Sequence, residues 1–285
     1  MAKTWLITGA SRGFGRRLTE AVLEAGDQVI ATARSPKQLD DLVARHSGRI
    51  RAVSLDVTDA AAASRAVKEA TDTFGSLDVV VNNAGYGNSA PIEEMAEDDF
   101  RAQIETNLFG VVNVTRAALP VLRTQRSGVF VQFSSIGGRV GGTPGMGAYQ
   151  AAKFAVEGFT EDLWQEIEPL GLNAMIVQPG SFRTGIEHRT KASGTPIDAY
   201  HATAGAFRNM MGTLTPEMFP GDHTRAAKVM YAAATSKQPR HWIVLGSDAH
   251  RRIDAKLSRL RAEFDRGKDV ALSTDFPGSA EHAVL

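Results

Sequence analysis

Tyr149 and Lys153 stand four residues apart in Tyr149-Gln150-Ala151-Ala152-Lys153, fourteen residues beyond Ser135. In a helix, positions i and i+4 share a face, so this spacing sets a phenol beside an ammonium. A nearby positive charge favours the phenolate and lowers the phenol's pKa. A free tyrosine titrates near ~10, and acid–base work near neutrality needs that value lowered by roughly 3, about 4 kcal/mol of differential stabilisation. One lysine seldom supplies all of that, and a second positive charge beside the phenol would help.

Such a pair needs a scaffold and a ligand, and the N-terminus provides for both. Lys3 to Thr8 reads as a short buried strand, Gly9-Ala10-Ser11-Arg12-Gly13-Phe14-Gly15 as a turn, and the stretch from Arg16 to Ala25 has helical periodicity. Glycines in that turn allow positive φ and close backbone approach, and the free N–H groups of the helix start attract a pyrophosphate. The spacing is G-x-x-x-G-x-G, distinct from the commoner G-x-G-x-x-G dinucleotide turn.

Along the rest of the chain, β and α segments alternate, the pattern of a parallel sheet covered by helices on both faces. Strands are expected at 3–8, 28–33, 50–55, 77–82, 128–133, 172–177 and 241–245, and helices near 15–25, 37–46, 60–74, 98–123, 149–168 and 222–235. Seven strands with right-handed crossovers make an α/β, Rossmann-like doubly wound sheet whose ligand crevice lies at the carboxyl ends of the strands. No internal repeat or low-complexity linker interrupts the pattern, so residues 1–285 are expected to form one domain, with 181–221 and 267–285 least like regular structure.

Thr8-Gly9-x-x-x-Gly13-x-Gly15, Asp56-Val57, Asn82-Asn83-Ala84-Gly85, Asn107, Ser135, Tyr149-x-x-x-Lys153 and Pro179-Gly180 occur in an order that resembles the short-chain dehydrogenases/reductases, over roughly residues 3 to 250. Two departures stand out. The interval from Ser135 to Tyr149 is one residue longer than the family's common spacing, which leaves adjacent Ser134 as a competitor for the serine's role. The chain also runs some forty residues past the last expected strand.

The resemblance implies a nicotinamide cofactor held by Gly9, Ser11, Arg12, Gly13, Phe14 and Gly15, with Asp56 and Val57 beside the adenine. It places Asn83, Ala84, Gly85, Pro179, Gly180, Phe182 and Thr184 with Tyr149 and Lys153 around the same cofactor. Asp56 is alternatively a solvated strand-end residue next to an N-cap at Thr58, and Asn82 to Gly85 alternatively act mostly as scaffold. Where NAD-preferring members carry an acid at the end of the second strand, this chain has Ala33 followed by Arg34. Arg34 and Arg12 are two guanidinium groups placed to grip a 2′-phosphate, so NADP(H) is expected over NAD(H). By the same resemblance Tyr149 is the acid and base, Lys153 lowers its pKa and holds the nicotinamide ribose, and Ser135 bonds the substrate oxygen. Asn107, inside the helix 98–123, holds a water that links Lys153 to solvent.

Substrate contacts are expected from Tyr86, Met146, Ser135, Tyr149, Phe207 and Met211. Tyr200, Phe207, Met210, Met211 and Leu214 contain i, i+3, i+4 and i+7 spacings, which fit an amphipathic helix that either covers the cleft as a lid or packs on its own domain. With Met146 and Phe182 the lining reads as apolar, favouring a hydrophobic ketone, aldehyde or secondary alcohol.

Composition excludes other classes. Acidic and basic residues number 32 each, so there is no electrostatic case for nucleic acid or an anionic membrane. There are no cysteines, and the seven histidines (46, 188, 201, 223, 241, 250 and 282) never fall at paired-ligand spacing, so no metal is expected. With no apolar leader or spanning stretch read in the chain, a cytoplasmic protein is expected, and the resemblance implies a homodimer or homotetramer. Two other classes remain: a catalytically inactive NADP-sensing regulator of the same fold, and an epimerase or dehydratase of the extended branch. The first has no need for Ser135, Tyr149, Lys153 and Asn107 together, and the second carries a different glycine spacing.

Overall fold

The computed structural model describes residues 2–184, 190–238 and 240–276. Its elements in chain order are β1 (Thr4–Ile7), α1 (Gly13–Glu24), β2 (Gln28–Ala33), α2 (Asp40–Arg45), β3 (Ile50–Ser54), α3 (Ala60–Phe74), β4 (Val79–Asn82), β5 (Asn88–Ser89), α4 (Glu97–Ile104), α5 (Gly110–Gln125), β6 (Val129–Phe133), α6 (Ile136–Arg139), α7 (Gly147–Ile167), β7 (Asn173–Pro179), β8 (Lys191–Ala192), α8 (Ala206–Gly212), α9 (His223–Ala234), β9 (Trp242–Leu245), α10 (Ser247–Arg266) and α11 (Lys268–Leu272).

Seven strands form one parallel sheet in the order β3-β2-β1-β4-β6-β7-β9, and β5 and β8 make a separate pair. Leu6 on the central strand pairs with Ile30 on one side and Val80 on the other. Parallel strands covered on both faces need apolar side chains facing both ways. On one face Trp5, Ile7, Val29 and Val81 pack with Leu18, Val22 and Met230 of α1 and α9. On the other, Leu6, Ile30, Val80 and Phe130 meet Ala66 of α3, Ala118 of α5 and Leu163 of α7. The sheet is therefore the middle layer of three, and the loops at its carboxyl edge carry the residues singled out above.

Three expectations for the elements are corrected. The helix expected over 98–123 is two helices, α4 and α5, joined by a π-helical turn at Glu105–Phe109. Past the last strand, where no helix was read, α10 runs for 20 residues; it is mostly exposed, so its periodicity belongs to a surface helix with only Ala249 and Ile253 buried. The lid helix is short: α8 ends at Gly212, leaving Leu214 outside it, and Met210 is 49% exposed. Of the tail expected at 267–285, the part from 277 lies outside the described residues, as do 185–189 of the expected lid connection and the histidines at 188 and 282. No described helix is long and apolar enough to cross a membrane.

Candidate active site

β1 leads into a turn with Gly9 at φ +65° and Gly13 at φ +54°, both in the left-handed region that side chains disfavour. Gly15 is needed for space: an added Cβ would stand 2.4 Å from the Gly9 carbonyl oxygen and 2.5 Å from Asn83 Nδ2. Asn83 Nδ2 donates to the carbonyls of Thr8 and Gly9 at 2.8 and 3.2 Å. Thr8 Oγ1 in turn accepts from the backbone N–H groups of Asn83 and Ala84 at 2.9 and 3.0 Å. Asn82 Nδ2 is committed to Thr115 and Gln132. The side chains of Asn82 and Asn83 thus tie the end of β4 to the sheet and to the glycine turn, which is the scaffold alternative.

The start of α1 has the means to hold an anion. Arg12 occupies the N-cap without a side-chain capping bond, and no acidic residue lies in the first turn, so the first N–H groups are open to a phosphate. Arg12 and Arg34 are exposed, and among the described residues neither guanidinium has a hydrogen-bond or ion-pair partner. Arg16 and Arg17 on the same helix are engaged with Glu20. Ser11 is half-buried between these groups. Phe14 places its ring inward, 5.7 Å from Phe133 and 5.0 Å from Phe182 between centroids. A glycine-lined turn, an open helix start and two unpaired guanidinium groups together fit a phosphorylated dinucleotide.

At the end of β3, exposed Asp56 accepts from the N–H and hydroxyl of Thr58 at 3.0 and 2.8 Å. The N-cap of α3 is Asp59, which accepts from Ala61 and Ala62, so the expected cap at Thr58 is one residue off. Val57 is buried against Gly110, where an added Cβ would stand 2.5 Å from its Cγ2. Gly180, just past Pro179 at the end of β7, is held close to Asp248: an added Cβ would lie 2.4 Å from Oδ1, while Oδ2 accepts from Ser181 N–H at 2.9 Å. Asp248 sits in the first turn of α10, the helix missed in the sequence, and the signal for it was the Gly246-Ser247-Asp248 helix start. Thr184 lies against Gly13, bringing the start of the 181–221 connection to the glycine turn.

Ser135 is buried and accepts from Gly137 N–H at 3.0 Å as the cap of α6, and it lies beside Tyr149: an added Cβ at Gly137 would stand 3.4 Å from Ser135 Oγ and 3.5 Å from Tyr149 Cε1. Ser134 is not an equivalent competitor, because its Oγ donates to Glu157 Oε1 at 2.6 Å. Lys153 lies 5.9 Å from the Tyr149 ring centroid and its Nζ donates to the Phe133 carbonyl at 2.6 Å. Burial pushes its pKa down from 10.5 to about 8.

One expectation changes here. Burial raises the Tyr149 pKa, and Ser135 is the neighbour that opposes the rise. Asn107 was expected to hold a water. Its side-chain amide clasps the backbone of Tyr86, with Oδ1 accepting from the N–H at 3.0 Å and Nδ2 donating to the carbonyl at 2.8 Å. The π-helical turn projects it there, and such a bulge often marks a functional site. Gly85 brings Asn107 and Lys153 together: an added Cβ would be 2.5 Å from Asn107 Oδ1 and 3.7 Å from Lys153 Nζ.

Gly87 packs against Tyr149 and Met146: an added Cβ would meet Tyr149 Cδ2 at 3.4 Å and Met146 Cε at 3.5 Å. Tyr86 is half-buried, and burial followed by Asp99 raises its pKa. Phe207 and Met211 are half-buried on α8, and Met211 lines a 140 Å³ cavity with Ser89 and Arg208. Phe182 was expected in the apolar lining. It is in the core beside Phe14, and an added Cβ at Gly221 would reach its ring at 2.4 Å.

Residues 3–194 match the family model for short chain dehydrogenase. The chain belongs to this family. It is 40% identical over 277 residues to the oxidoreductase BOA17 of Botryotinia fuckeliana (strain B05.10), covering 96% of this chain and 100% of that protein. The crystal structure of a short-chain dehydrogenase from Streptomyces avermitilis superposes with a TM-score of 0.88 at 38% identity, covering 97% and 100% of the two chains. A short chain dehydrogenase from Burkholderia cenocepacia J2315, crystallised with NADP, has a TM-score of 0.72 at 25% identity, covering 93% of this chain and 97% of that one. The protein is thus an oxidoreductase of a family that uses nicotinamide cofactors.

Proposed function

We propose that this short-chain dehydrogenase is an NADP(H)-dependent enzyme that interconverts an apolar ketone or aldehyde and its alcohol, with Tyr149 as acid and base. The observation that carries this reading is the meeting of the Ser135 hydroxyl and the Tyr149 ring at Gly137, with Lys153 beside the ring and the glycine turn at the neighbouring strand end.

Bound nicotinamide supplies the hydride in reduction and takes it up in oxidation. The chain's own part is the proton. Tyr149 Oη donates to the carbonyl oxygen as the alcohol forms, and in oxidation it takes that proton back. A phenol whose pKa is raised by burial is protonated at neutral pH, which suits the reduction direction. Ser135 holds the substrate oxygen beside Tyr149. Lys153, an interior ammonium, supports the developing phenolate and holds the nicotinamide ribose. Asn107 positions the Gly85–Gly87 segment that borders the phenol.

Solved neighbours hold NADP in two cases and NAD in another, so the preference for NADP(H) rests on Arg12 and Arg34. Gly9, Ser11, Gly13, Phe14 and Gly15 form the phosphate turn, Asp56 and Val57 flank the adenine, and Asn83, Ala84, Gly85, Pro179, Gly180, Phe182 and Thr184 complete the cofactor's surroundings. The working form is a single-domain, cytoplasmic homodimer or homotetramer, which light scattering on the eluting protein would check.

The reading is tested by initial rates with NADPH and NADH, at matched concentrations, against a panel of apolar ketones and aldehydes. NADPH-dependent turnover that disappears in Tyr149→Phe is expected. Turnover surviving that substitution would sink the proton assignment, and equal Michaelis constants for the two cofactors would sink the arginine argument.

A further inference from the structure

An apolar stripe on α10 begins under the domain and runs out beyond it. Ala249 and Ile253 are buried. The same face continues through Leu257, Leu260 and Phe264, which are 45%, 48% and 74% exposed. Ile253, Leu257, Leu260 and Phe264 follow one another at intervals of four, three and four, the spacing that sets apolar side chains in the seam between two helices. A helix face turned to water is normally polar. On α10 the stripe is kept for about two turns after its own domain has stopped covering it, and its largest member is the most exposed. Contiguous apolar side chains left in water in this way mark an interaction surface.

The charges beside the stripe identify what covers it. In heptad terms Leu257 and Phe264 are a positions and Ile253 and Leu260 are d positions. Asp254 and Arg261 then occupy e, and Lys256 and Glu263 occupy g. Two copies related by a two-fold axis with their helices antiparallel set e against e and g against g, each contact occurring twice. When Leu257 meets Leu260 of the second copy, Asp254 faces Arg261 and Lys256 faces Glu263, so every flanking contact joins opposite charges. In a parallel pair g meets the following e, and Lys256 would stand against Arg261. Asp254 and Lys256 have no ion-pair or hydrogen-bond partner among the described residues. Arg261 pairs with Asp265 and Glu263 with Arg266 within the exposed helix, and such surface pairs are worth little and exchange readily. In the same register Phe264 reaches the second copy beside Ile253, where the stripe goes under cover.

We propose that α10 is a self-association surface on which two copies of this chain pair their helices antiparallel through Leu257, Leu260 and Phe264, with the e and g charges fixing orientation and register. The proposal concerns assembly; it goes beyond the reductase reading and does not depend on it.

Sedimentation of the full-length chain over a range of concentrations tests it, with circular dichroism to show that each variant keeps its helices. Leu260→Lys should raise the Kd of association by about 30-fold or more, the scale of losing a central hot spot. Arg261→Asp sets like charges face to face twice and should raise it by about tenfold. Adding Asp254→Arg to Arg261→Asp exchanges the two charges and should bring the Kd back to within a few-fold of the unaltered protein. If a second interface also joins the subunits, the same variants should turn a tetramer into a dimer. A monomer at every concentration, including one that floats with phosphatidylserine vesicles, would overturn the pairing. So would an assembly that Leu260→Lys leaves intact, tighter association in Arg261→Asp, which is the parallel result, or a double variant that fails to recover. Rates with NADPH keep the two proposals apart: absent turnover with the expected assembly would sink the reductase reading and leave this surface standing.

Discussion

Ser134 donates to Glu157 at 2.6 Å in the interior, while the next residue, Ser135, lies beside the Tyr149 ring at Gly137. Both serines follow β6, Ser135 in extended backbone, so one hydroxyl is spent on structure and the other is presented to the cleft. Glu157 also accepts from Gln178 Nε2 at 2.8 Å, which fixes α7 to β7 beneath the site. Ser134→Ala should lower unfolding stability by about 1–3 kcal/mol through the lost hydrogen bond to the buried Glu157 carboxyl group and leave the pH–rate profile in place. Ser135→Ala should cost roughly 100-fold in kcat with little change in stability. Urea titrations and steady-state rates on the two variants separate the roles, and the reverse pattern would exchange them.

Tyr149→Phe keeps the ring and deletes the proton. We expect kcat to fall by roughly 100-fold or more, while NADPH affinity, measured by fluorescence titration, stays within a few-fold of the unaltered protein. A large loss of NADPH binding would place the hydroxyl in the cofactor site instead of the proton path.

Arg12 and Arg34 are unpaired among the described residues, so removing either breaks no internal ion pair. Arg34→Ala should raise the KM for NADPH by about tenfold or more, the loss of a charge-assisted bond, with little effect on NADH. High salt should weaken NADPH binding in the same sense, since exposed charges are screened. Equal losses for both cofactors would show that Arg34 does not read the 2′-phosphate.

Lys153 makes a signed prediction for pH. Its pKa in the fold is about 8 against 10.5 ordinarily, and burial is the cause. Between those values the unfolded chain binds the extra proton, so the stability contribution of this group rises with pH across that window. Below pH 8 the cost of an interior ammonium is fully present. Lys153→Met should therefore be more stable than the unaltered protein at pH 7, by about 1–3 kcal/mol after losing the bond to Phe133, and the difference should shrink toward pH 10. Paired denaturation curves at the two pH values check it, and a difference independent of pH would contradict it.

Gly15 tests the turn. A Cβ 2.4 Å from the Gly9 oxygen cannot be accommodated without moving backbone. Gly15→Ala should cost about 1–3 kcal/mol from overpacking and weaken NADPH binding, whereas Gly26→Ala, with nothing within 4 Å of the added atom but φ +91°, should affect stability alone.

The order of strands and helices, the glycine turn and the Tyr149–Lys153 spacing were legible in the chain because each is a local pattern, set by period-two or helical repetition and by the few residues that allow a tight turn. The expected seven-stranded parallel sheet formed for that reason. What local pattern could not carry was side-chain direction. Ser134 and Ser135 are indistinguishable in sequence, and a buried carboxylate 23 residues away, Glu157, separates them. Asn107 reads as a site residue inside one long helix, and it takes a π-helical turn to aim its amide at the Tyr86 backbone. Phe182 reads as a pocket residue until Phe14 and Gly221 draw its ring into the core. The Lys153 ammonium could not be read as turned to Phe133 either, because the direction of a charged group and its pKa depend on desolvation by every element packed around it. That environment exists only once the layers have closed.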